Sequence, residues 1–442
     1  MVHPFVRRRA GVEPVTYDHP DLEPILADTY GVILFQEQIL EIANQFAGMA
    51  LDVADDFRSH MSKGRDAKKI EEMKALFFDG ALRRGVEMQT VERVFEKVSN
   101  FVGYGFCRSH AAAFAKTVYL SAWFKLNYPA AYMAAIMQHH PGMYPLMTLE
   151  EEAKRMGVPV LPPDINLSAV RYELESTHPG LAIRKPITSV KGVSEETAQR
   201  LTWSRIERPF SSVDDILQRI VIKKDDLQSL ARAGALDTLA GDSRRAVWET
   251  GIAVQRLHLF ETDARLLRLP SVLPDEIPPL ALLSARERVI WDLTTHNSSR
   301  LHPVALMRRT LADLNVQTIE TCYRCSPPEN ADIKVTVAGT AMLKQRPPTA
   351  KGVMFVTLED ETGYIQVVAF QHIQEAYPEL VRSPAMIVTG TLQAKGGWRG
   401  VVAHKLYPLE GSIGGYAGFA NAQGGRDRLM LQEKIDEARQ AG

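Results

Sequence analysis

Ile333-Lys334-Val335-Thr336-Val337 alternates apolar and polar residues with a period of two, the pattern of a half-buried β-strand. Strand-like runs follow at residues 353–358, 364–370, 385–392 and 398–406. Turn signals separate them at Glu361-Thr362-Gly363, Pro378 and Gly396-Gly397, with an irregular or helical insert near 371–380. Five short strands within residues 332–410 fit a small barrel of the OB type. After the barrel, residues 411–442 read as a Gly-rich tail ending in a short charged helix at 429–438.

Upstream of the barrel the period changes. Ile33, Leu34, Ile39, Leu40, Ile42 and Ala43 recur at three- and four-residue spacings, as do Val91, Val94, Phe95 and Val98, so residues 29–154 read as helical. Ala111 to Tyr132 is a longer apolar stretch broken near Pro129; with Lys116 and Lys125 inside it, it reads as a buried helix pair. Residues 1–30, rich in Pro and basic residues, read as an irregular leading segment. Val158-Pro159-Val160-Leu161-Pro162-Pro163 reads as an extended connector. A compact segment follows to about 245, with a Gly-centred turn at Val190-Lys191-Gly192-Val193. A helix starts near Ser194, where Glu195 and Glu196 suit the positive end of the helix dipole. Residues 260–330 read as a partly ordered connector with a helix near 284–295. The fold class is multidomain α + β.

The 442 residues are 45% apolar and 24% charged, with a formal net charge of -1. That length suggests two to four domains, and that apolar fraction excludes wholesale disorder. No apolar run is long enough to span a membrane, and Met1-Val2-His3-Pro4 followed by Arg7-Arg8-Arg9 lacks the core of a signal peptide, so the reading is cytoplasmic with no membrane partner. Three Cys exclude a disulfide framework. Cys322-Tyr323-Arg324-Cys325 has only Cys107 as a further thiol and no His pair at ligand spacing, so it reads as two incidental thiols, and no metal site is assigned.

Five segments are candidates for chemistry. In Gly103-Tyr104-Gly105-Phe106-Cys107-Arg108-Ser109-His110, Ser109 or His110 could open a helix whose free amides attract phosphate, with Arg108 as a bidentate donor. Between Arg58 and Lys74, six basic residues (Arg58, Lys63, Arg65, Lys68, Lys69, Lys74) outnumber three acids (Asp66, Glu71, Glu72), which suits a polyanion or a solvated helix face. Gln36-Glu37-Gln38 lies in an apolar helical stripe and needs partners. Lys191-Gly192, with a weaker second copy at Ala233-Gly234-Ala235, is a helix–Gly turn–helix unit that points amides at a phosphate. Lys344, Arg346 and Lys351, in the loop between the first two barrel strands, with Phe355 on the second, fit a single-strand-binding face. No strand carries the Asp-x-Asp pair that would hold two metals for nucleotidyl transfer: Asp55-Asp56 lie in a helical region and Glu359-Asp360-Glu361 at a barrel turn.

Leu34-Phe35-Gln36-Glu37-Gln38, Arg58-Ser59-His60-Met61-Ser62-Lys63, Tyr104-Gly105-Phe106-Cys107-Arg108-Ser109-His110-Ala111, and Gln345-Arg346-Pro347 through Glu359-Asp360-Glu361-Thr362-Gly363 occur in one order. In that order and wording the chain resembles the bacterial C-family DNA polymerases, the DNA polymerase III alpha-subunit family. The opening Met1 to Arg9 and Gln345-Arg346-Pro347-Pro348-Thr349-Ala350-Lys351-Gly352 are most like its error-prone, damage-tolerance branch. The resemblance covers roughly residues 1–410.

The resemblance implies a layout: fingers-like helices over 1–170, a tandem helix-hairpin-helix domain over 171–250, a connector over 251–331, the OB domain over 332–410, and an altered tail over 411–442. By match, Gln36, Gln38, Arg58, Lys63, Arg108, Ser109 and His110 face the incoming nucleotide and DNA. Lys191 and Gly192 contact the DNA backbone, and Lys344, Arg346, Lys351 and Phe355 contact single-stranded DNA. The chain departs from the family at Ser59, where a second Arg is usual, and at Arg108, where Lys or Glu is common. In the connector, Gln255-Arg256-Leu257-His258-Leu259-Phe260 is similar to bacterial clamp-binding peptides, with Gln255, Leu259 and Phe260 as the contacting residues; the alternative is a helix end whose Leu257, Leu259 and Phe260 pack on the neighbouring domain. Family members carry a PHP domain and a palm with metal-binding aspartates, which this chain lacks. No catalytic residue is therefore assigned here, Mg²⁺ is expected only through a palm domain absent from this chain, and the chain by itself is expected to be inactive; a truncated product, a split enzyme whose PHP and palm domains come from a separate chain, and a fragment kept for binding are the alternatives. The implied function is the C-terminal portion of an error-prone DNA polymerase. The alternative is a non-catalytic DNA-binding and protein-interaction fragment.

Overall fold

The computed structural model describes residues 2–63, 67–101, 106–140, 142, 144–178, 180–259, 278–325, 333–347, 350, 352–395 and 398–409. The chain divides into two compact units, Met1–Trp123 and Phe124–Gly442.

The first unit is helical. Its leading segment is more regular than its composition suggests: Val2–Arg9 is an α-helix, followed by short helical turns at Pro20–Leu22, Glu23–Leu26 and Ala27–Thr29. Pro4 falls near the start of the first helix, where its missing N–H costs nothing, and Arg7, Arg8 and Arg9 fall at its negative end. Helices Gln36–Glu41, Leu51–Lys63, Ala67–Arg83 and Met88–Ser99 follow. They bury one core in which Phe46, Phe57, Phe77 and Ile39 have no exposed surface and Phe57 stacks on Phe77 at 5.4 Å. Each side chain of this size contributes about 1.5–3 kcal/mol on burial.

Helix Arg108–Asn127 corrects the expectation of a buried pair. None of its residues is buried, and Phe114 and Leu126 are 57% and 82% exposed. Its apolar residues encircle it instead of forming one face, and hydrophobicity becomes burial only where a partner surface exists. The chain breaks at Tyr128 as expected. The next helix, Pro129–His139, opens on its proline and does bury Ala130, Met133, Ala134 and Met137.

The supposed connector before residue 163 is part of a small sheet. Strand β1 (Val160–Leu161) pairs in parallel with β3 (Gly180–Arg184), which pairs antiparallel with β2 (Glu173–Thr177). Five helices follow: Glu195–Glu207, Val213–Arg219, Lys224–Arg232, Asp237–Ala240 and Ser243–Leu259. They close over Ile187, Leu201, Ile216, Leu227, Leu230 and Leu236, all fully buried. Ser194 caps the first of these helices by accepting from the Thr197 amide at 3.1 Å.

The segment read as a partly ordered connector with a helix near 284–295 does hold that helix, and further helices run on to Arg324. Ser284 and Glu287 form a reciprocal capping box at the start of helix Ala285–His296. Helices Arg308–Asp313 and Ile319–Arg324 follow, and the latter buries Cys322, whose thiol burial pushes up to about 12. Residues 260–277 and 410–442 lie outside the described residues, and with them the expected tail helix.

Strands β4 (Ile333–Gln345), β5 (Met354–Asp360), β6 (Gly363–Ala369), β7 (Ala385–Lys395) and β8 (Trp398–Pro408) form a closed barrel in the order β4-β5-β6-β8-β7. Every pairing is antiparallel except β6 with β8. Val335, Val337, Val356, Leu358, Ile365, Val367, Val388 and Val401 alternate inward and fill it. The insert near 371–380 is two short helices, Gln371–Ala376 and Pro378–Arg382.

Candidate nucleic-acid interface

Three sequence motifs converge within the first unit. Phe35 and Phe106 form an isolated parallel bridge, and the Gln36 amide donates to the Phe106 carbonyl at 2.9 Å. This bridge sets the start of helix Gln36–Glu41 against the start of helix Arg108–Asn127. Arg58 reaches the same place from helix Leu51–Lys63. Its Nη1 donates to Gln36 Oε1 at 3.0 Å and its Nε to Asp55 Oδ1 at 2.7 Å.

The Glu37 carboxylate occupies the seat that the sequence suggested for a phosphate. Its two oxygens accept from the Arg108 backbone amide at 2.9 and 3.0 Å, and Oε1 also accepts from Cys107 Sγ at 3.3 Å. The expectation of an open anion seat at that helix end is therefore corrected: a fixed internal anion satisfies the orphan donor and the dipole. Burial alone would raise the Glu37 pKa. The Arg108 and Ser109 amides and the Cys107 thiol outweigh it and hold the carboxyl below its ordinary range.

The side chains around this cap differ in availability. Arg108 pairs with Asp28 at 2.9 Å across an exposed contact and lies 5.7 Å from the Phe35 ring centroid. Ser109 Oγ is 3.0 Å from Cys107 Sγ, and the His110 ring is tilted against both Phe106 and Phe114, at centroid distances of 5.5 and 4.4 Å. Gln38 is 2% exposed. Its Oε1 accepts from the Leu34 and Phe35 amides and its Nε2 donates to the Ile25 carbonyl and Thr29 Oγ1. Gln38 therefore builds the loop instead of presenting an amide to a ligand, as the requirement for partners on a buried amide dictates.

The basic run from 58 to 74 is partly neutralised along its own helices. Lys69 pairs with Glu72 at 3.2 Å and Lys74 with Glu71 at 3.5 Å, while Arg58 pairs with Asp55. Exposed pairs of this kind are worth about 0–1 kcal/mol. Lys63 ends its helix with a side chain outside the described residues, as is Arg65.

In the second unit, Gly192 turns at φ +91°, in the left-handed region that favours glycine. The Lys191 amide donates to the Thr295 carbonyl at 2.7 Å and its Nζ to the Leu293 carbonyl at 3.4 Å, which ties this turn to helix Ala285–His296. The second turn, at Gly234 (φ +81°), is overlaid by the Arg300 guanidinium, which donates to the Ala233 carbonyl at 3.4 Å. On the barrel, Lys344 Nζ donates to the Ser383 carbonyl at 2.7 Å, and burial lowers its pKa. Arg346 is exposed, Phe355 is half-buried on the outer side of β5, and Lys351 lies outside the described residues.

The clamp-like segment is not extended in this structure. Gln255 and Leu259 fall in the last turns of helix Ser243–Leu259, with side chains outside the described residues, and Phe260 lies outside them altogether. Glu359, Asp360 and Glu361 are structural: Arg155 meets Glu359 at 2.9 Å, and Arg308 meets Asp360 at 3.0 Å and Glu361 at 2.5 Å. Among the described residues no group of three or more His, Cys, Asp and Glu is placed to hold a metal ion, and no helix is long and apolar enough to cross a membrane.

Sequence reasoning missed Asp28 and the Gln366–Trp398 pair described below, whose only signal was an outward position in an alternating strand.

A helical unit, a helix–Gly turn–helix domain and a five-stranded OB barrel on one chain define a multidomain nucleic-acid-handling protein. Residues 1–85 match the bacterial DNA polymerase III alpha subunit finger domain, 157–247 the helix-hairpin-helix motif, and 335–409 the OB-fold nucleic acid binding domain. The error-prone DNA polymerase of Teredinibacter turnerae is 37% identical over 404 residues, covering 89% of this chain and 38% of that protein. That of Anaeromyxobacter dehalogenans is 37% identical over 420 residues, covering 92% and 36%. That of Mycobacterium tuberculosis is 34% identical over 419 residues, covering 93% and 37%. Over about nine-tenths of its length the chain is similar to error-prone DNA polymerases, and its first 85 residues match the finger domain of the DNA polymerase III alpha subunit. It spans little more than a third of the length of these curated relatives.

Proposed function

We propose that this chain is the DNA- and nucleotide-binding portion of an error-prone DNA polymerase III alpha-like enzyme, acting in repair or translesion synthesis. The observation that carries the reading is the convergence of Gln36, Arg58 and the Arg108 helix start, three motifs far apart in sequence, on one surface of the unit that includes the finger match. Arg58 and Arg108 exchange their exposed carboxylate partners for the triphosphate of an incoming nucleotide or for template phosphates. The Gly192 turn and the barrel hold the DNA backbone and single strand. The carboxylates that bind Mg²⁺ for nucleotidyl transfer would come from a palm outside residues 1–442. The segment ending in Leu259 and Phe260 docks on a sliding clamp.

The test is anisotropy with primed and single-stranded DNA across a salt series. Log affinity should fall linearly with log salt, at about 0.9 per phosphate contacted on a duplex. Arg58→Ala should weaken primed DNA and reduce that slope. A flat salt response, or no binding, overturns the reading.

A further inference from the structure

The outer faces of β5, β6 and β8 set side chains in rows across the barrel. Phe355 stands opposite Val368, Thr357 opposite Gln366, and Gln366 pairs with Gly400. Trp398, two residues before Gly400 and so on the same face, donates from its indole Nε1 to Gln366 Oε1 at 2.7 Å. Gly400 makes that geometry attainable. A Cβ there would overlap Trp398 Cζ2 and would lie 2.8 Å from Cη2 and 2.7 Å from the Gln366 carbonyl. The six-membered half of the indole therefore rests over bare backbone, and its polar edge is held by the neighbouring strand.

We propose that Trp398 is a base-stacking platform for single-stranded nucleic acid, with Gln366 as the positioning residue that fixes its ring. The inference deepens the DNA-binding reading above and rests on it. An indole held by a hydrogen bond and a glycine cradle has already lost the rotamer freedom that stacking would otherwise cost. Trp398 as a residue is half-buried, neither sealed in the core nor fully exposed. Tyr364, 48% exposed on β6, and the half-buried Phe355 on β5 share the face, so successive bases meet more than one aromatic group. Exposed Arg346 follows Gln345, the residue paired with Phe355, and supplies positive charge for the phosphates at that edge. Spaced aromatics beside a cationic loop suit a single strand, whose bases offer their π faces, and not a duplex, whose bases are stacked on one another.

The experiment uses the full chain with fluorescein-labelled oligothymidylate and a blunt hairpin duplex. Trp398→Ala should weaken the oligothymidylate about tenfold, leave the salt slope unchanged and leave the duplex unaffected. Gln366→Ala should give a smaller loss of the same kind. Trp398→Phe keeps a stacking ring, so it should hold most of the affinity while losing part of the tryptophan quenching that DNA produces. If Trp398→Ala fails to fold, that quenching difference decides. Wild-type affinity in Trp398→Ala, or undiminished quenching in Trp398→Phe, removes the platform while leaving the DNA-binding reading in place. Failure of the unaltered chain to bind any DNA removes both.

Discussion

Replacing Glu37 with Gln isolates the charge at the junction of the three motifs. The side chain keeps its length and one acceptor oxygen but loses the anion that spans the Arg108 amide at 2.9 and 3.0 Å and the Cys107 thiol at 3.3 Å. A hydrogen bond to a charged group contributes about 1.5–3 kcal/mol, and a lost N-cap costs about 0.5–2 kcal/mol. With one neutral acceptor retained, the net loss should be about 1–2 kcal/mol. That shifts the local opening equilibrium of the Arg108 helix start by a factor of about 5–30. Hydrogen exchange at the Arg108 and Ser109 amides reads the local effect, and urea unfolding reads any global one. The Glu37 carboxyl is held below its ordinary value of 4.5 in the folded chain. Its contribution is therefore fully present above that value and lost as pH falls through the lower folded value. The gap between native chain and Glu37→Gln should accordingly close as pH falls below 4.5. Unchanged exchange at Arg108, or a gap that persists undiminished at pH 2, would refute the cap.

Three further outcomes are expected. His302 is buried, its Nδ1 accepts from the Val304 amide at 3.2 Å, and burial lowers its pKa to about 3. The unfolded chain therefore takes up the proton first, stability falls from pH 6.5 toward 3, and His302→Asn should flatten the part of the melting profile between pH 6.5 and 5; an unaltered slope there counts against it. The purified chain should not extend a primer at any Mg²⁺ or Mn²⁺ concentration, since nucleotidyl transfer needs carboxylates that hold both ions; template-dependent incorporation would sink this. Leu259→Ala with Phe260→Ala should abolish clamp binding while DNA affinity and the melting midpoint stay constant, and retained clamp affinity gives the segment to the helix end instead.

Period-two alternation made the barrel legible because a closed sheet imposes the same inside–outside rule on every strand, wherever the rest of the chain lies. Val335, Val337 and Val401 could only point inward. Ser194 and Gly192 were legible for a similar reason, since caps and tight turns are decided within four residues. The order of motifs pointed to the polymerase family without any coordinates. The small sheet escaped notice because β1 has two residues and its partner is 23 positions away.

What the tertiary structure alone decided are the long-range partners. Gln36-Glu37-Gln38 reads the same in sequence whether its groups face a ligand, a loop or a neighbouring helix. Folding sends Gln38 to Thr29, Glu37 across 71 positions to Arg108, and Gln36 to Arg58. The polar expectation was right in each case that a partner was needed, but which partner depends on loop closures that local propensity does not encode. Trp398 is the same case on the barrel. Its strand was visible from alternation, but its rigidity comes from Gln366 on one neighbouring strand and the missing Cβ of Gly400 on its own. Composition and spacing set which residues could do chemistry, and packing set which of them still have groups to offer, because a buried donor or acceptor is satisfied by whatever the fold brings within about 3 Å.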